Sequence, residues 1–439
     1  MTSIANEQPN KVVKSNMMPM VIIGVLFFIF GFVTWLNGSL IPFLKIICEL
    51  NEFQALLVTF AFYIAYTVMA LPMSLLLDKT GYKNGMAIGL AVMVVGSLLF
   101  IPAAQTGNYI VFLAALFVLG SGLTILQTAS NPYVVKIGPE SSAAMRISIM
   151  GLINKAAGVL APAMFTALVL SGMGDYSESY IAGLDDVARQ AKIDELSNAL
   201  IMPYIAMALV LSALVVFIKF SNLPELELED EESTDDGRSI MSFPQVVLGA
   251  IAIFFYVGIE VIAGDTIGLY GQSLEVANFA GLTSYTMVFM VIGYVIGVTC
   301  IPKYISQQQA LLGSAIAGIL CVIGVLTSST ESTAIADVLW GWTGIAVIPN
   351  TVTFVALLGL AHALVWPAVW PLALMGLGKH TAQGSALLIM GIAGGAILPL
   401  VFGQIAHVTN DTSLGYIVGF LCYGYILYYG LVGHKKRTW

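Results

Sequence analysis

Twelve runs of about 20 mostly apolar residues constrain this chain most, because each is long enough to cross a lipid bilayer as a helix. Inside lipid only helices or closed barrels satisfy the backbone polar groups, and the strand-length alternation of a barrel is absent from the sequence. We therefore predict an all-α integral membrane protein with twelve transmembrane helices. The runs, numbered span 1 to span 12, cover residues 18–46, 53–77, 84–104, 108–136, 143–171, 198–220, 243–268, 279–302, 306–327, 350–377, 382–408 and 414–433.

The composition excludes most other classes of protein. The chain has 439 residues, of which 58% are hydrophobic and only 10% are charged, whereas soluble domains carry about 25% charged residues. A net charge of −8 argues against a nucleic-acid partner, since phosphate binding needs a basic surface. No nucleophile–base arrangement or metal-ligand spacing stands out, so we expect a lipid-embedded monomer that is not an enzyme and carries no cofactor.

The distribution of Lys and Arg predicts the orientation in the membrane. If the N-terminus is cytoplasmic, 13 of the 17 basic residues fall on the cytoplasmic side, as the positive-inside rule requires. Only Lys45, Arg189 and Lys192 fall outside, and Lys155 falls within a helix. Both termini are therefore predicted to be cytoplasmic, and residues 173–197 form the longest outside loop.

An acidic stretch near the midpoint divides the twelve spans into two sets of six. Eight acidic residues crowd residues 222–240, a pattern typical of a solvated linker. The predicted organisation is an N-terminal arm, a first six-helix half, an acidic linker, a second six-helix half and a cytoplasmic tail, at residues 1–17, 18–221, 222–242, 243–433 and 434–439.

Short motifs recur in the same order in both halves. Span n matches span n + 6, with offsets that grow slowly from 227 through 235 to 240. Such parallel repeats are the symmetry of major facilitator transporters, which bind substrate near the membrane midplane between the halves. The matching pairs are Phe27-Phe28-x-x-Gly31 with Phe254-Phe255-x-x-Gly258, Gln127 before Pro132 with His362 before Pro367, and Ile149-Met150-Gly151 with Ile389-Met390-Gly391.

The turn between spans 2 and 3 contains Asp78-Lys79-Thr80-Gly81-Tyr82-Lys83, which resembles the major facilitator signature. An acid and a base beside a turn glycine are suited to latch helix ends across the interface between the halves. A simple solvated turn is the alternative. The signature normally ends in two basic residues, and only Lys83 is present here.

Four ionisable residues lie within the spans, where a charge costs several kcal/mol unless it faces a partner or a cavity. Glu260 and Asp265 are five residues apart, about 140° around a helix, and need not share a partner. For the amides, hydrogen bonding between helices is the alternative to substrate binding. The ionisable residues are Lys155, Glu260, Asp265 and His362, and the accompanying amides are Asn37, Gln127, Asn131 and Asn154.

Tryptophans lie near these polar groups in the sequence. Trp366 and Trp370 share a helix face at four-residue spacing, and Trp35 is close to Asn37. Sugar sites combine amide or carboxylate hydrogen bonds with an aromatic plane against the ring. Anchoring at the lipid interface or plain packing is the alternative for these three residues.

Several motifs resemble the fucose permease and glucose/galactose transporter family over nearly the whole chain. The resemblance implies a major facilitator fold and secondary transport of a monosaccharide across a bacterial inner membrane. The motifs are Gln127-Thr128-Ala129-Ser130-Asn131-Pro132-Tyr133, Gly138-Pro139-Glu140-Ser141-Ser142, Arg146 with Asn154, Phe254-Phe255-Tyr256-Val257-Gly258-x-Glu260, and Gly394-Gly395-Ala396-Ile397-x-Pro399.

The departures from that family concern ion coupling. Proton-coupled fucose permeases carry acids at positions that correspond here to Gly38 and Gln127, neither of which titrates. The repeat offset of 227 places Asp265 opposite Gly38. We therefore expect Lys155 to pair with Asp265 as first choice and with Glu260 as second. The coupling ion is H⁺ or Na⁺, with Na⁺ slightly favoured and a possible Na⁺ site near Asp265 and Glu260.

The sequence thus favours import of a monosaccharide, of hexose, fucose or N-acetylglucosamine type, by alternating access. A facilitated-diffusion uniporter is a second interpretation, in which the Lys155 ammonium permanently takes the place of a cation. A transporter-derived sugar sensor is a third, although residues 222–240 and 434–439 are too short for an output domain. We expect Gln127, Asn131, Asn154 and His362 to line one central cavity.

Overall fold

The structure, a computed structural model, describes residues 17–136, 143–171, 174–223, 239–301, 303–377 and 380–439. Twelve helical segments in these ranges are long and apolar enough to cross a membrane, which confirms the predicted number of spans. Their bounds lie within a few residues of the sequence prediction. In order, the spans are built from Met17–Ile47; Glu52–Ala55 with Leu57–Thr80; Tyr82–Thr106; Tyr109–Lys136; Ala143–Phe165 with Thr166–Leu170; Ile201–Phe220; Pro244–Asp265 with Ile267–Ser273; Thr283–Cys300; Gln307–Thr327; Asn350–His362 with Val365–Leu374; Thr381–Met390 with Gly394–Thr409; and Thr412–Gly415 with Val418–Leu431.

An even number of spans returns the chain to the side of the bundle on which it began. We call the side that carries both termini the terminal side and the opposite one the distal side. Most of the acidic linker and of the N-terminal arm lies outside the described residues, as does the Gly138-Pro139-Glu140-Ser141-Ser142 motif.

The expected outside loop at residues 173–197 is largely helical. It contains the helices Glu178–Ala182 and Asp186–Ala199, whose N-cap residues are Ser177 and Asp185. Both capping side chains accept a backbone N–H of the first turn, the usual way in which such residues start a helix. Lys45 Nζ lies 3.0 Å from Glu178 Oε2, so the first of these helices is tied to the distal end of span 1.

Glycines of the repeated motifs bring equivalent helices together in the two halves. A Cβ atom added at Gly31 of span 1 would lie 1.9 Å from the backbone oxygen of Asn154 in span 5. A Cβ atom added at Gly258 of span 7 would lie 2.2 Å from Leu398 in span 11. The repeat therefore encodes the same close approach twice, between the first and fifth helices of each half.

The halves touch each other on the distal side. Ser39 of span 1 donates to Ala280 O at 2.5 Å, and Ser284 of span 8 donates to Val159 O of span 5 at 2.7 Å. Spans 2 and 11 are so close that a Cβ atom at Gly403 would lie 2.6 Å from Leu56. In this conformation the distal side of the bundle is closed.

Candidate functional site

A buried ion pair joins the two halves near the middle of the bundle. Lys155 Nζ of span 5 lies 2.6 Å from Glu260 Oε1 of span 7. The side chains are only 10% and 8% exposed. The ammonium also lies 4.4 Å from the centre of the Trp35 ring in span 1, a cation–π distance. The carboxylate that Lys155 was predicted to require comes from the opposite half.

The partner is the second choice and not the first, so the prediction of a Lys155–Asp265 pair is wrong for this conformation. Asp265 instead accepts a hydrogen bond from Thr59 Oγ1 of span 2 at 3.3 Å, and it is fully buried. The reason is depth along span 7. Asp265 lies five residues beyond Glu260, about 7.5 Å further toward the distal side at 1.5 Å per residue. The two carboxylates have different partners, which is compatible with their angular separation of about 140°.

Gly38 shows why an acid is not accommodated at that position of span 1. A Cβ atom there would lie 2.0 Å from Thr283 Oγ1 and 2.8 Å from the Gly264 backbone oxygen. Thr283 is itself fixed, because it donates to Gly264 O at 2.7 Å. Span 1 therefore approaches span 7 more closely than any side chain would allow, directly beside Asp265.

The polar face of span 4 faces span 2. Gln127 is half-buried and donates from Nε2 to the Tyr66 hydroxyl at 3.0 Å. Tyr66 in turn interacts with Thr34 of span 1, which links three helices of the first half. Asn131, one helical turn from Gln127, is exposed. These two residues keep the shared helix face predicted for them, but they differ in burial.

Asn154 and Asn37 have different environments. Asn154 is half-buried and donates from Nδ2 to the Phe27 backbone oxygen at 3.3 Å, which is the interhelical bond weighed as the alternative. Asn37 is buried, and its Nδ2 finds no hydrogen-bond acceptor among the described residues. An unpaired buried amide is costly, so the Asn37 side chain is available to a ligand or a water molecule.

In the second half, His362 and the tryptophans form an aromatic group around Tyr256. His362 Nε2 lies 2.5 Å from the Tyr423 hydroxyl, and the ring centres of Tyr256 and Trp366 are 6.2 Å apart. Trp366 and Trp370 lie 5.4 Å apart at an interplanar angle of 47°. Both tryptophans are half-buried, and His362 is fully buried.

Tyr256 connects this aromatic group to the ion pair. Tyr256 lies one helical turn before Glu260 on the same face of span 7, and its ring lies 6.3 Å from that of His362. The ion pair, Trp35 and the aromatic residues of span 10 therefore form one continuous group that draws on both halves.

Sequence reasoning missed the tyrosines and Thr59. Tyr63, Tyr66, Tyr256 and Tyr423 lie in apolar runs, and none of them is among the predicted site residues. The signal for three of them is spacing, since Tyr256 precedes Glu260 by four residues and Tyr63 precedes Tyr66 by three. Such spacing puts each pair on one helix face, and the rings of Tyr63 and Tyr66 indeed stack at 6.1 Å.

The signature turn lies on the terminal side. Gly81 has a φ of 74°, which a residue with a side chain rarely adopts, and it joins spans 2 and 3. Lys79 is exposed, and the side chain of Asp78 lies outside what the structure describes. The described residues contain no group of three His, Cys, Asp or Glu side chains suited to a metal ion.

The sequence profile of the Major Facilitator Superfamily matches residues 23–399. The chain belongs to this superfamily. A glucose/galactose transporter of Brucella abortus is 34% identical over 419 residues, covering 94% of this chain and 93% of the relative. The L-fucose-proton symporter of Escherichia coli is 25% identical over 435 residues, covering 97% and 95%.

Solved structures of the superfamily have the same fold. The fucose:proton symporter of Escherichia coli superimposes with a TM-score of 0.69 at 25% identity, covering 95% of this chain and 98% of that one. The xylose transporter of the same organism, in an inward open conformation, gives a TM-score of 0.68 at 12% identity, covering 95% and 96%. This agreement confirms the predicted major facilitator fold of twelve helices in two six-helix halves.

Proposed function

We propose that this protein imports a monosaccharide across a bacterial inner membrane by alternating access, coupled to H⁺ or Na⁺. One observation carries the proposal: the Lys155–Glu260 pair is buried between the halves, against the Trp35 ring of the first half and on the same helix face as Tyr256 of the second. A hydroxylated ring needs hydrogen-bonding groups on its edge and an aromatic plane on its face. The named sugar-transporting relatives support this class of substrate.

In the proposed site, Gln127, Asn131 and Asn154 face the sugar from the first half, and His362, Trp366 and Trp370 face it from the second. Asn37 and Trp35 complete the proposed site, since the Asn37 Nδ2 and the indole nitrogen of Trp35 lack hydrogen-bond acceptors among the described residues. Lys155, Glu260 and Asp265 serve coupling, and Asp78, Lys79 and Gly81 serve as a gating latch on the terminal side.

The proposed orientation puts the terminal side in the cytoplasm, because most basic residues lie there. The distal side, which is closed in this structure, then faces the exterior. We propose the division into two halves at residues 222–242, a monomeric assembly without a cofactor, and transport without catalysis. Closure at one side while the other is accessible is what alternating access requires.

The test is uptake by the purified full-length protein in proteoliposomes. Radiolabelled glucose, galactose, fucose and N-acetylglucosamine are each supplied under a proton gradient, a Na⁺ gradient or neither. We expect at least one sugar to accumulate above equilibrium with one gradient. A protein that moves none of these sugars would contradict the proposal.

Sugar binding is measured separately as a substrate-dependent thermal shift, so that binding and coupling are distinguished. Gln127→Ala removes a donor from the proposed site, and the shift should fall. Gln190 is an exposed glutamine of the distal loop that bonds Asp194, so Gln190→Ala is the matched control. Equal loss of the shift in both variants would count against a site at Gln127.

A uniporter is the second candidate function, and the Lys155–Glu260 pair is the observation in its favour. A permanent internal cation at 2.6 Å from the carboxylate leaves Glu260 little need for a transported ion. Uptake that equilibrates the sugar under every gradient, without accumulation, would favour this candidate.

A further inference from the structure

Asp265 is a buried carboxyl group with an unsatisfied oxygen at the point where span 7 is interrupted. The helix Pro244–Asp265 ends there, and a second helix begins at Ile267. Asp265 is 0% exposed, and Oδ2 accepts the Thr59 hydroxyl at 3.3 Å. Its Oδ1 has no hydrogen-bond partner in the part of the chain that the structure describes.

An ionised carboxylate is unfavourable in this position, because a buried charge without a partner or metal is very costly and such a group is normally neutralised. Thr59 alone offsets little of this cost, so the environment of Asp265 favours a bound positive charge.

The described residues around Asp265 do not supply that charge. The titratable groups that act electrostatically on Asp265 from its own helix and from span 2 are Glu260 and Tyr63. Neither is a cation. Lys155 is engaged by Glu260 at 2.6 Å. Within the described part of the chain no cation neutralises Asp265, so the positive charge comes from solution.

A proton fits the position better than Na⁺. Hard cations are held by about six oxygen ligands. Among the described residues, the hydrogen bond that Asp265 receives comes from the Thr59 hydroxyl at 3.3 Å. A proton on Oδ1 needs no such set of ligands.

We propose that Asp265 is the proton-binding group of this transporter and that the distal side closes only when it is protonated. The proposal rests on the proposed function. The O–H bond forms with a proton from distal-side water while spans 2 and 7 are apart. Closure then brings Thr59 of the first half onto the neutral carboxyl group of the second. The O–H bond breaks when the proton is released to water on the terminal side. The Asp265 carboxylate is then ready to bind a proton in the next transport cycle.

The position differs from the first-half acids expected from the resemblance. Gly38, which replaces one of them, lets span 1 pack against the Gly264 backbone beside Asp265. The missing side chain of span 1 and the acid of span 7 therefore occupy one region. In this proposal the titratable group lies in the second half, at the same interface between spans 1 and 7.

The decisive experiment compares wild type and Asp265→Asn in proteoliposomes with a sugar that the wild type transports. Asparagine keeps the size and the neutral form of the group but binds no proton. Proton-driven accumulation should fall to the equilibrium level, and sugar-linked alkalinisation of the medium should disappear, while sugar counterflow persists. Asp337 is an exposed carboxylate bonded to Thr333, so Asp337→Asn is the matched control and should accumulate sugar as the wild type does.

Two results would overturn the inference. One is Asp265→Asn that still accumulates sugar under a proton gradient. The other, which needs no variant, is a wild type that shows sugar accumulation under a Na⁺ gradient without alkalinisation. Sugar counterflow by the wild type distinguishes this inference from the proposed function. A wild type without counterflow moves no sugar, and the proposed function then fails. A wild type with counterflow but without proton-driven accumulation transports sugar, and only the inference about Asp265 then fails.

Discussion

Lys155 Nζ lies 2.6 Å from Glu260 Oε1, and this contact connects span 5 of the first half with span 7 of the second. Transport by alternating access changes the relative position of the halves. A buried pair across that boundary must therefore shift or follow one half as the conformation changes. The contact of the ammonium with Trp35 places it within the first half as well.

Breaking this pair on one side should destabilise the protein strongly. Lys155→Met leaves Glu260 buried without its cation, and loss of one partner of a buried pair costs about 3–5 kcal/mol. The double variant Lys155→Met with Glu260→Gln removes both charges and should recover most of that stability. The measurement is thermal unfolding of the purified protein in detergent.

Lys303→Met is the control for this series, because Lys303 is exposed and lies 5.0 Å from the Tyr304 ring. It should change the unfolding temperature little. A double variant no more stable than Lys155→Met would show that the two charges do not compensate each other.

Gly38 should control closure of the distal side. In Gly38→Ala the new methyl group meets the Thr283 hydroxyl and the Gly264 backbone. Overpacking of this kind costs about 1–3 kcal/mol, and 1.4 kcal/mol shifts a population ratio tenfold. We expect the distal side to open and transport to slow.

The readout is the distance between spin labels at Ser179 and Val408, exposed distal positions in opposite halves. The labels are placed in a variant whose four native cysteines are replaced. Gly313→Ala is the matched control, since no atom lies within 4 Å of a Cβ there. A distance distribution that is the same in Gly38→Ala and Gly313→Ala would refute this role of Gly38.

The sequence was sufficient to locate the spans, because each is a single apolar segment whose length sets its ends. It also predicted that Lys155 must find a carboxylate in the other half, because burying a lone ammonium is too costly. The distal helices Glu178–Ala182 and Asp186–Ala199 were within reach too, since Ser177 and Asp185 are good capping residues.

The sequence could not predict whether Lys155 pairs with Glu260 or with Asp265. The choice depends on how deeply spans 5 and 7 sit relative to each other, and the offset between repeats carries no information on that depth. The partners of Tyr66 and Tyr423 depend in the same way on helix rotation. A tyrosine in an apolar run is compatible with packing or with hydrogen bonding, and only its neighbours in space decide.

Tyr423 should matter for the second-half site through His362. Its hydroxyl lies 2.5 Å from His362 Nε2, while Nδ1 of the same ring finds no partner among the described residues. Tyr423→Phe leaves both ring nitrogens of a buried histidine unsatisfied, which costs about 1–3 kcal/mol. The unfolding temperature and the sugar-dependent thermal shift should both decrease. Tyr428→Phe, at a partly exposed tyrosine of the same span, is the control and should leave both unchanged.

Glu52 should help to hold the distal side closed. Its Oε1 lies 3.2 Å from Lys45 Nζ of its own half, and its Oε2 lies 3.9 Å from His407 Nδ1 of span 11 in the other half. Glu52 and His407 are 27% and 45% exposed, and between exposed groups an ion pair contributes about 0–1 kcal/mol. Glu52→Gln should therefore open the distal side less than Gly38→Ala does. The effect should shrink as salt is added, because exposed charges are screened, whereas steric opening by Gly38→Ala should not depend on salt.

The same pair of spin labels measures both variants at low and high ionic strength. If the label-to-label distance distribution of Glu52→Gln at low salt is the same as that of the wild type, the Glu52 carboxylate does not contribute to closure of the distal side.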